Sequence, residues 1–341
     1  MDILQLYGSS RRILIVGTYP PPLGGISVFI YRLKKLLQAG NYEVTVFNTA
    51  MKYRFLGVRY FAFLITILKG NFQIIHVQNF DLKKIIALVL FKSVKKYRIY
   101  FTDHNPFLFD NKSSFSAGII RILMAKIDKL IVVNHHILEN YISHHVDLPE
   151  DVLVSNVFLP PPAEEKEKII STYPADFIAF LNTRSPLVLA NAYQLKWVEG
   201  IDLYGMDMCL ELTKRLKKHY PEIGFIFALA DEKVNTGWLS EIVSQIKRDD
   251  LGRNFYILTG HKEIWPLFER MQLFVRPTYK DGYGVSIDEA LYFNCAAVAS
   301  NACERNPGAG LFENRNMDDF YNKCITILNK KIQHGQDERF L

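Results

Sequence analysis

The chain has 341 residues, 49% apolar and 22% charged, a balance that favours a folded protein of about two domains and excludes a disordered one. Its first 155 residues carry 19 lysines and arginines against 10 aspartates and glutamates, a net charge of +9, whereas the remainder carries 22 against 25, a net charge of −3. A basic first half favours an anionic partner such as membrane lipid, a phosphorylated ligand or nucleic acid, although an ordinary solvated surface remains the alternative.

Short apolar segments alternate with helical patterns through the first half. The predicted strands are RILIVG, EVTVFN, FQIIHV, YRIYFTD, KLIVV and DVLVS. The predicted helices between them begin near five residues: Ile26, Leu56, Leu82, Ser114 and His135. Strands that are apolar throughout, rather than alternating, indicate parallel sheets buried on both faces by helices.

The second half repeats this rhythm with the predicted strands PLVLAN, GFIFALA, FYILTG, LFVRPT and AAVAS. The proline-rich and charged stretch FLPPPAEEKEKIISTYPADF interrupts it. We therefore predict an α/β protein with two doubly wound Rossmann-like domains, residues 1–158 and 185–341, joined by a hinge at 159–184. The final helix is a candidate for packing back on the first domain. Ligands are expected beyond the carboxyl ends of the strands, in a central cleft between the domains.

The first predicted strand ends at Gly17 and leads through TYPPPLGG into a helix. Gly24 and Gly25 at a helix start leave backbone N–H groups exposed, which suits a phosphate or a sugar hydroxyl. The loop is too long and too rich in proline for the dinucleotide-binding fingerprint. A plain turn is the alternative interpretation.

His104 follows the strand YRIYFTD, so we expect it at the carboxyl end of the sheet, either as a functional group or as a structural histidine. The adjacent histidines 135–136 and 144–145 do not put two rings on one helical face, and we interpret them as solvated surface. No metal site is predicted.

The segment DGYGVSIDEAL, residues 281–291, combines glycines with carboxylates. Gly282 and Gly284 let the backbone approach a ligand, and the first turn of the following helix offers free N–H groups. Glu289 reaches back along that helix towards its start, because side chains tilt towards the helix N-terminus. The pattern favours a pocket for a diphosphate and a pentose, although a simple helix cap would have the same spacing.

In these segments the chain resembles retaining glycosyltransferases of the GT-B fold, family 4, over nearly its whole length. ILIVGTYPPPLGGISVFIYRL is similar to the opening strand, glycine loop and helix of that family. FQIIHVQ, YFTDH and DVLVSNVF follow in order, and the segment from LTGHKEIW to AAVAS resembles the donor-site block. The most specific element is the family's pair of glutamates separated by seven residues, here Asp281 and Glu289.

The resemblance implies roles for particular residues. Glu289 would hold the ribose hydroxyls, Asp281 would contact the donor sugar, and His104 would lie near the transferred sugar. Further donor-binding residues are Gly24, Gly25, Lys196, Gly282, Tyr283, Gly284, Val285, Ser286 and Arg276. The resemblance also implies no cofactor and no metal, with a nucleotide-diphosphate sugar as donor and amides and cations neutralising the diphosphate.

Three features depart from the family pattern, one of which is the turn NCAA at 294–297, where no glycine follows the cysteine. Asp281 is one methylene shorter than the usual glutamate, and the expected arginine and lysine after the first strand of the second domain are missing. Lys196 is the nearest cation there, while Glu199 precedes Gly200. Arg276 and Arg305 are candidates for the missing charge. A degenerate, nucleotide-binding copy without activity therefore remains an alternative.

Residues 52–69 predict a helix that is apolar on nearly every side and flanked by cations. Burial against neighbouring elements and contact with a membrane interface are both compatible with this pattern. No apolar run approaches the roughly 18 residues that span a bilayer. Four scattered cysteines predict reduced thiols, and no signal peptide is expected, so we predict a cytoplasmic protein, peripheral on the inner face of the cell membrane.

The function predicted from the sequence is transfer of a sugar from a nucleotide-diphosphate donor to a glycan acceptor, lipid-linked, with retention, in cell-surface polysaccharide synthesis. A nucleotide-sugar epimerase of the same fold is an alternative enzyme, and a binding protein without turnover is another. Nucleic acid is not expected as a partner, since it would explain the basic half but not the donor-site segment.

Overall fold

Strands and helices alternate along the whole chain, in a computed structural model that describes residues 3–21, 23–50, 56–105, 108, 114–155 and 158–337. The chain divides into two units, Met1–Leu159 and Pro160–Leu341. Each unit is built on its own sheet and is described by itself. The site residues predicted from the sequence are divided between the two units.

The first unit contains a six-stranded parallel sheet in the order β2-β1-β3-β4-β5-β6. Its strands are β1 Arg12–Gly17, β2 Glu43–Asn48, β3 Ile74–Val77, β4 Arg98–Asp103, β5 Lys129–Val132 and β6 Val152–Val154. The strand order reverses between β1 and β3. Their carboxyl ends therefore form the switch point where ligands bind in open α/β sheets.

Five helices connect these strands. They are α1 Gly25–Ala39, α2 Leu56–Lys69, α3 Leu82–Lys95, α4 Ser114–Met124 and α5 His135–Ser143. Right-handed crossovers place α1 on one face of the sheet and α2, α3 and α4 on the other. On that second face α2 packs against α3, and α3 packs against α4.

The second unit contains another six-stranded sheet, in the order β11-β10-β7-β12-β13-β14, again with parallel neighbours. Its strands are β7 Leu187–Gln194, β10 Gly224–Asp231, β11 Phe255–Thr259, β12 Leu273–Arg276, β13 Ala296–Ser300 and β14 Gly310–Phe312, with a small antiparallel hairpin of β8 Trp197–Val198 and β9 Ile201–Asp202. Its helices are α6 Lys166–Ile170, α7 Ala175–Thr183, α8 Met206–Lys217, α9 Thr236–Arg248, α10 Val285–Tyr292 and α11 Met317–Asp337.

The core of the second unit lies on both faces of its sheet. Along β10, Phe225 and Phe227 belong to one apolar cluster, while Ile226 and Ala228 belong to the other. This division follows from the two-residue period of a strand, since neighbouring side chains point to opposite faces. The uninterrupted apolar strands therefore indicated the correct class, and the predicted pair of doubly wound α/β domains is confirmed.

The predicted hinge at 159–184 contains regular structure. α6 and α7 occupy it, and Tyr173, Phe177 and Leu181 pack into one of the second unit's clusters. The first unit ends at Leu159, so the segment belongs to the second unit. A hinge function for this segment stays a prediction, as do the predicted domain limits.

Candidate functional site

The predicted donor segment forms the loop between β12 and α10, at the carboxyl edge of the second sheet. Gly284 caps α10 with a φ of +87°, a left-handed conformation that favours glycine. A Cβ at this position would lie 2.6 Å from Arg305 Nη1 and 2.8 Å from Arg276 Nε. The glycine therefore lets the loop backbone lie directly against two guanidinium groups.

Asp281 is the shared acceptor of those two arginines. Arg276 Nε donates to its Oδ2 at 2.5 Å, and Arg305 Nη1 donates to the same oxygen at 2.7 Å. The hydroxyl of Thr278 lies 3.3 Å from Oδ2, and the Gly282 amide donates to Oδ1 at 3.0 Å. Oδ2 is thus fully used within the protein, and Oδ1 keeps one further lone pair for a ligand.

Burial alone would raise the pKa of Asp281, since it penalises the carboxylate. The positive charges and hydrogen bonds of Arg276 and Arg305 outweigh that effect and hold the pKa well below its ordinary value. For Arg276, burial acts to lower the pKa, but Asp281 more than compensates and the pKa is raised. Asp281 is therefore ionised at neutral pH, and its pairing with two guanidinium groups gives the cluster a net charge of +1.

The two arginines differ in exposure. The side chain of Arg305 is fully buried and also donates to the Tyr283 carbonyl at 2.7 Å and to Thr278 Oγ1 at 2.8 Å. Arg276 is 12% exposed, and its Nη1 lies 3.2 Å from Ser286 Oγ and 3.4 Å from Asn191 Oδ1. Arg305 thus supports the loop from beneath, whereas Arg276 lies at the start of α10 with part of its surface open.

Glu289 is buried on α10, with 8% of its surface exposed. It lies close enough to Tyr173 to contribute, after burial and Glu263, to the raised pKa of that phenol. Its neighbour Asp288 accepts hydrogen bonds from Tyr283 Oη and from Asn306. The predicted role of Glu289 in holding a ribose stays a prediction.

The predicted cation Lys196 lies between β7 and β8 with an exposed side chain. Among the described residues, Arg276 and Arg305 are the cations that contact Asp281. The adjacent Lys280 instead pairs with Glu199 at the turn of the β8–β9 hairpin, at 2.6 Å. The two arginines, and not Lys196, therefore pair with Asp281.

At the carboxyl edge of the first sheet, the glycine loop leads into α1. Ser27 Oγ accepts from the Gly24 amide at 2.8 Å and donates to the Gly24 carbonyl at 3.0 Å, which fixes the start of the helix. A Cβ on Gly25 would meet nothing within 4 Å. One of the two glycines is therefore tied into the helix cap, and the other borders open space.

His104 follows β4 and lies beside Gln78, which follows β3. The two side chains are joined by a hydrogen bond of 2.9 Å between His104 Nε2 and Gln78 Oε1, and the ring of Phe29 contacts the imidazole edge-to-face. Burial lowers the pKa of His104 to about 4. The predicted position at the carboxyl edge holds, and the ring is neutral at physiological pH.

Several residues of these clusters were not singled out by the sequence pattern. Gln78, Asn191, Thr278 and Ser300 are polar and lie in or directly after buried strands. For Gln78, Thr278 and Ser300, the position at or just after a carboxyl strand end was a usable signal, because that edge is where such sheets bind ligands. Asn191 lies in the middle of β7 and had no such signal. Of the predicted membrane segment 52–69, residues 52–55 lie outside the described residues, among them the flanking cations Lys52 and Arg54.

Two further properties bear on the predictions. Among the described residues, no helix combines the length and the hydropathy needed to cross a membrane. The same residues contain no group of three or more histidine, cysteine or acidic side chains able to hold a metal ion.

No family model matches the chain, and no curated protein matches its sequence. Solved structures do match. A glycosyltransferase from Rickettsia africae ESF-5 gives a TM-score of 0.68 at 14% identity, over 95% of this chain and 92% of the other. HepE from Anabaena, in complex with UDP and glucose, gives 0.65 at 14% identity over 95% and 91%. Sucrose-phosphate synthase from Thermosynechococcus elongatus gives 0.65 at 12% identity over 94% and 91%. At these identities the likeness establishes the fold, which is that of the GT-B proteins.

Proposed function

We propose that the protein is a retaining glycosyltransferase of family 4 that transfers a sugar from a nucleotide-diphosphate donor to a glycan acceptor. In this proposal the acceptor is lipid-linked and the product belongs to a cell-surface polysaccharide. The reaction uses no metal, so the chain itself must neutralise the leaving diphosphate. HepE, which shares the fold, is solved with UDP and glucose, which supports a nucleotide sugar as the donor.

The observation that carries the proposal is the pair of arginines on one carboxylate beside the start of α10. Negative charge grows on the diphosphate as the bond to the sugar breaks. The cluster of Arg276, Asp281 and Arg305 carries one net positive charge, and the helix start adds N–H groups and the positive end of its dipole. These groups are held in place before the ligand arrives, which is the condition for effective transition-state stabilisation.

The proposed roles divide between the two edges. Arg276 and the amides of the segment 282–286 bind the diphosphate, Glu289 accepts from the ribose, and Asp281 orients Arg276 while offering Oδ1 to the donor sugar. His104 and the loop at Gly24 and Gly25 serve the transferred sugar and the acceptor. A neutral His104 suits hydrogen bonding to uncharged hydroxyl groups.

The experiment combines calorimetry with transfer assays over a panel of nucleotide sugars and lipid-linked acceptors, with and without a chelator. Arg276→Met is expected to weaken nucleotide binding about a hundredfold. Arg253→Met, which removes an exposed arginine from the same unit, is the matched control and should bind as the parent does. Absence of nucleotide binding, transfer and donor hydrolysis across the panel would overturn the proposal.

A nucleotide-binding protein without transferase activity is the second candidate. It is favoured by Asp281, whose Oδ2 already accepts from both arginines and is not open to a sugar hydroxyl. Tight nucleotide binding without any turnover would identify this function. Isomerisation of the donor sugar without an acceptor would instead identify an epimerase.

We also propose that the protein is cytoplasmic and attaches to the inner face of the membrane through residues 52–69, extended by α3. Large apolar side chains on the outer surfaces of α2 and α3 support this, and we call them the exposed apolar face: Val58, Phe61, Ile65, Leu68, Leu90 and Val94. The spacing of the four members on α2, from Val58 to Leu68, puts them on one side of that helix. Lys69 and Lys83 are exposed on the same two helices. An apolar surface with cations beside it complements anionic lipid.

Sedimentation with lipid vesicles tests this attachment. Replacing both Phe61 and Ile65 with serine should lower binding to phosphatidylglycerol vesicles about tenfold or more, because each buried apolar side chain contributes roughly 1.5–3 kcal/mol. Val243→Ser, an exposed valine of the second unit, is the control. Equal binding by parent and double variant would refute the attachment.

A further inference from the structure

Gln78 occupies the switch point of the first sheet and is almost fully buried, with 1% of its surface exposed. A Cβ on Gly17, at the end of β1, would lie 3.0 Å from Gln78 Cβ, so the side chain lies against the end of that strand. On its other side, Gln78 Oε1 is 2.9 Å from His104 Nε2. The carboxamide therefore bridges the ends of β1 and β4.

One end of this carboxamide is unsatisfied. Gln78 Nε2 is buried and has no hydrogen-bond partner among the residues that the structure describes. An unpaired buried donor costs about 1–3 kcal/mol, so a ligand or a water is the usual reason for keeping one. Its place beside His104 suggests that the missing partner is an oxygen of whatever His104 binds.

We propose that Gln78 is a positioning residue that fixes His104 as the neutral tautomer protonated on Nε2, and that holds its own Nε2 as a donor for a ligand oxygen. Nδ1 of His104 is then left as a hydrogen-bond acceptor, able to receive the proton of a hydroxyl group. The ligand class is a polyhydroxyl compound, and this part rests on the proposed function. The tautomer does not, since it is a property of the protein alone.

The orientation of the carboxamide decides the tautomer. If the carboxamide were turned over, its NH₂ group would donate to His104 Nε2, and the ring would carry its proton on Nδ1. Among the described residues, His76 on β3 is an ionisable neighbour of the ring, and Asp103, next to His104 in sequence, accepts from Tyr141 Oη at 2.8 Å. Burial keeps the ring neutral at physiological pH with either tautomer.

The first test is nitrogen NMR of the whole protein at neutral pH without ligand, with His104 assigned by comparison with His104→Asn. We expect the His104 signals of an Nε2–H tautomer. Signals of the Nδ1–H tautomer, or of an even mixture, would overturn the proposal.

The second test uses two substitutions at Gln78. Gln78→Glu replaces the carboxamide beside His104 Nε2 with a carboxylate. The nearby negative charge should raise the pKa of His104 from about 4 to above 6, a shift of at least two pH units in the NMR titration. Gln78→Met keeps the size of the side chain but removes its hydrogen bond to His104. Both neutral tautomers of His104 should then be populated, and its pKa should not rise in this way. An unchanged tautomer in Gln78→Met would contradict a positioning role.

Gln73 supplies a matched control, because it precedes β3 as Gln78 follows it. Its Oε1 accepts from the backbone amides of Arg11 and Arg12, so its role is structural. Gln73→Met should alter stability without changing the tautomer or titration of His104.

In transfer assays, Gln78→Met should lower kcat about tenfold or more with little change in the KM of the donor. A loss confined to KM would instead assign Gln78 to binding alone.

Discussion

On both sheets the candidate residues lie at carboxyl strand ends near the point where the strand order reverses, yet one edge is neutral and the other is ionised. On the first sheet, Gln78 and His104 form a pair without charge. On the second sheet, Arg276, Asp281 and Arg305 form a buried cluster that is fully ionised. Burial suppresses charge where a titratable group lacks an ionic partner, whereas an opposite charge within hydrogen-bond distance maintains it.

The neutrality of the first edge extends into the sheet. His76 on β3 is bonded through Nδ1 to Tyr7 Oη and through Nε2 to Thr102 Oγ1, both at 2.7 Å. Burial, with a smaller contribution from His104, lowers the pKa of His76 to about 3. In the proposed function, the neutral edge suits sugar hydroxyls and the ionised edge suits the diphosphate.

Asp281→Asn should have the largest effect, because it keeps the shape of the side chain and leaves two arginines without their anion. Loss of one partner from a buried ionic cluster typically costs about 3–5 kcal/mol of unfolding free energy. Urea unfolding of parent and variant measures this cost. Glu199→Gln, which breaks the exposed pair with Lys280, is the control and should cause no measurable change. Equal stability of parent and Asp281→Asn would show that the cluster is not ionised.

Mild acid should destabilise the first unit selectively. His76 and His104 have pKa values of about 3 and 4 in the folded protein, below the ordinary 6.5, so the unfolded chain binds their protons first. Each histidine then lowers the free energy of unfolding by about 1.4 kcal/mol per pH unit below 6.5, until the pH reaches the pKa of that histidine in the folded protein. Burial raises the pKa of Asp103 to about 6, so its stabilising effect is greatest at low pH and is lost as the pH rises through 6. The net loss between pH 6.5 and pH 5 is about 2–3 kcal/mol.

The second unit should respond differently, because the pKa of Asp281 is depressed. Its contribution is complete above the ordinary value of 3.8 and is lost only as the pH falls further towards the folded pKa. All three tryptophans, Trp197, Trp238 and Trp265, lie in this unit. At pH 4.5, circular dichroism should therefore show partial unfolding at urea concentrations where tryptophan fluorescence is still native. If the urea unfolding curves from circular dichroism and from tryptophan fluorescence coincided at pH 4.5, the contrast between the two edges would be contradicted.

The glycines of the two edges allow a smaller test. Gly284→Ala forces a side chain into a left-handed conformation and against two guanidinium groups, which should cost about 1–3 kcal/mol. Gly25→Ala meets open space at a helix start, so stability should be unchanged or higher by up to about 1 kcal/mol. Thermal unfolding measures both. If Gly25→Ala nevertheless weakens ligand binding, the open space beside it belongs to the ligand site.

Most of the fold could be predicted because apolar runs and helical spacing are local signals. The predicted helix starts near Leu82 and His135 coincide with the starts of α3 and α5, and the predicted strand RILIVG is β1. The hairpin of β8 and β9 was missed, since two-residue strands have no periodicity to detect. The predicted hinge was assigned from its prolines and charges. Whether Phe177 and Leu181 find a partner surface depends on contacts distant in sequence.

The candidate site was predictable in its location but not in its charges. The segment 281–289 could be placed at a strand end and helix start from its glycines alone. The pairing of Asp281 with Arg305, 24 residues further on, depends on how the β13–α11 connection returns to the loop. The sequence offered Lys196, Arg276 and Arg305 as candidates for the charge that meets the diphosphate and gave no means of ranking them.

Substitution of Lys196 is expected to have the smallest effect. Its side chain is exposed, so solvent and salt screen its charge, and an isolated surface charge contributes under about 1 kcal/mol. Lys196→Met should weaken nucleotide binding by no more than about threefold, against about a hundredfold for Arg276→Met. Calorimetry at two salt concentrations separates the two residues, because the effect of Lys196 should disappear at high salt and that of the buried Arg276 should persist. If Lys196→Met weakened nucleotide binding more than Arg276→Met, Lys196 would be the residue that binds the diphosphate. The cluster of Arg276, Asp281 and Arg305 would then have only a structural role.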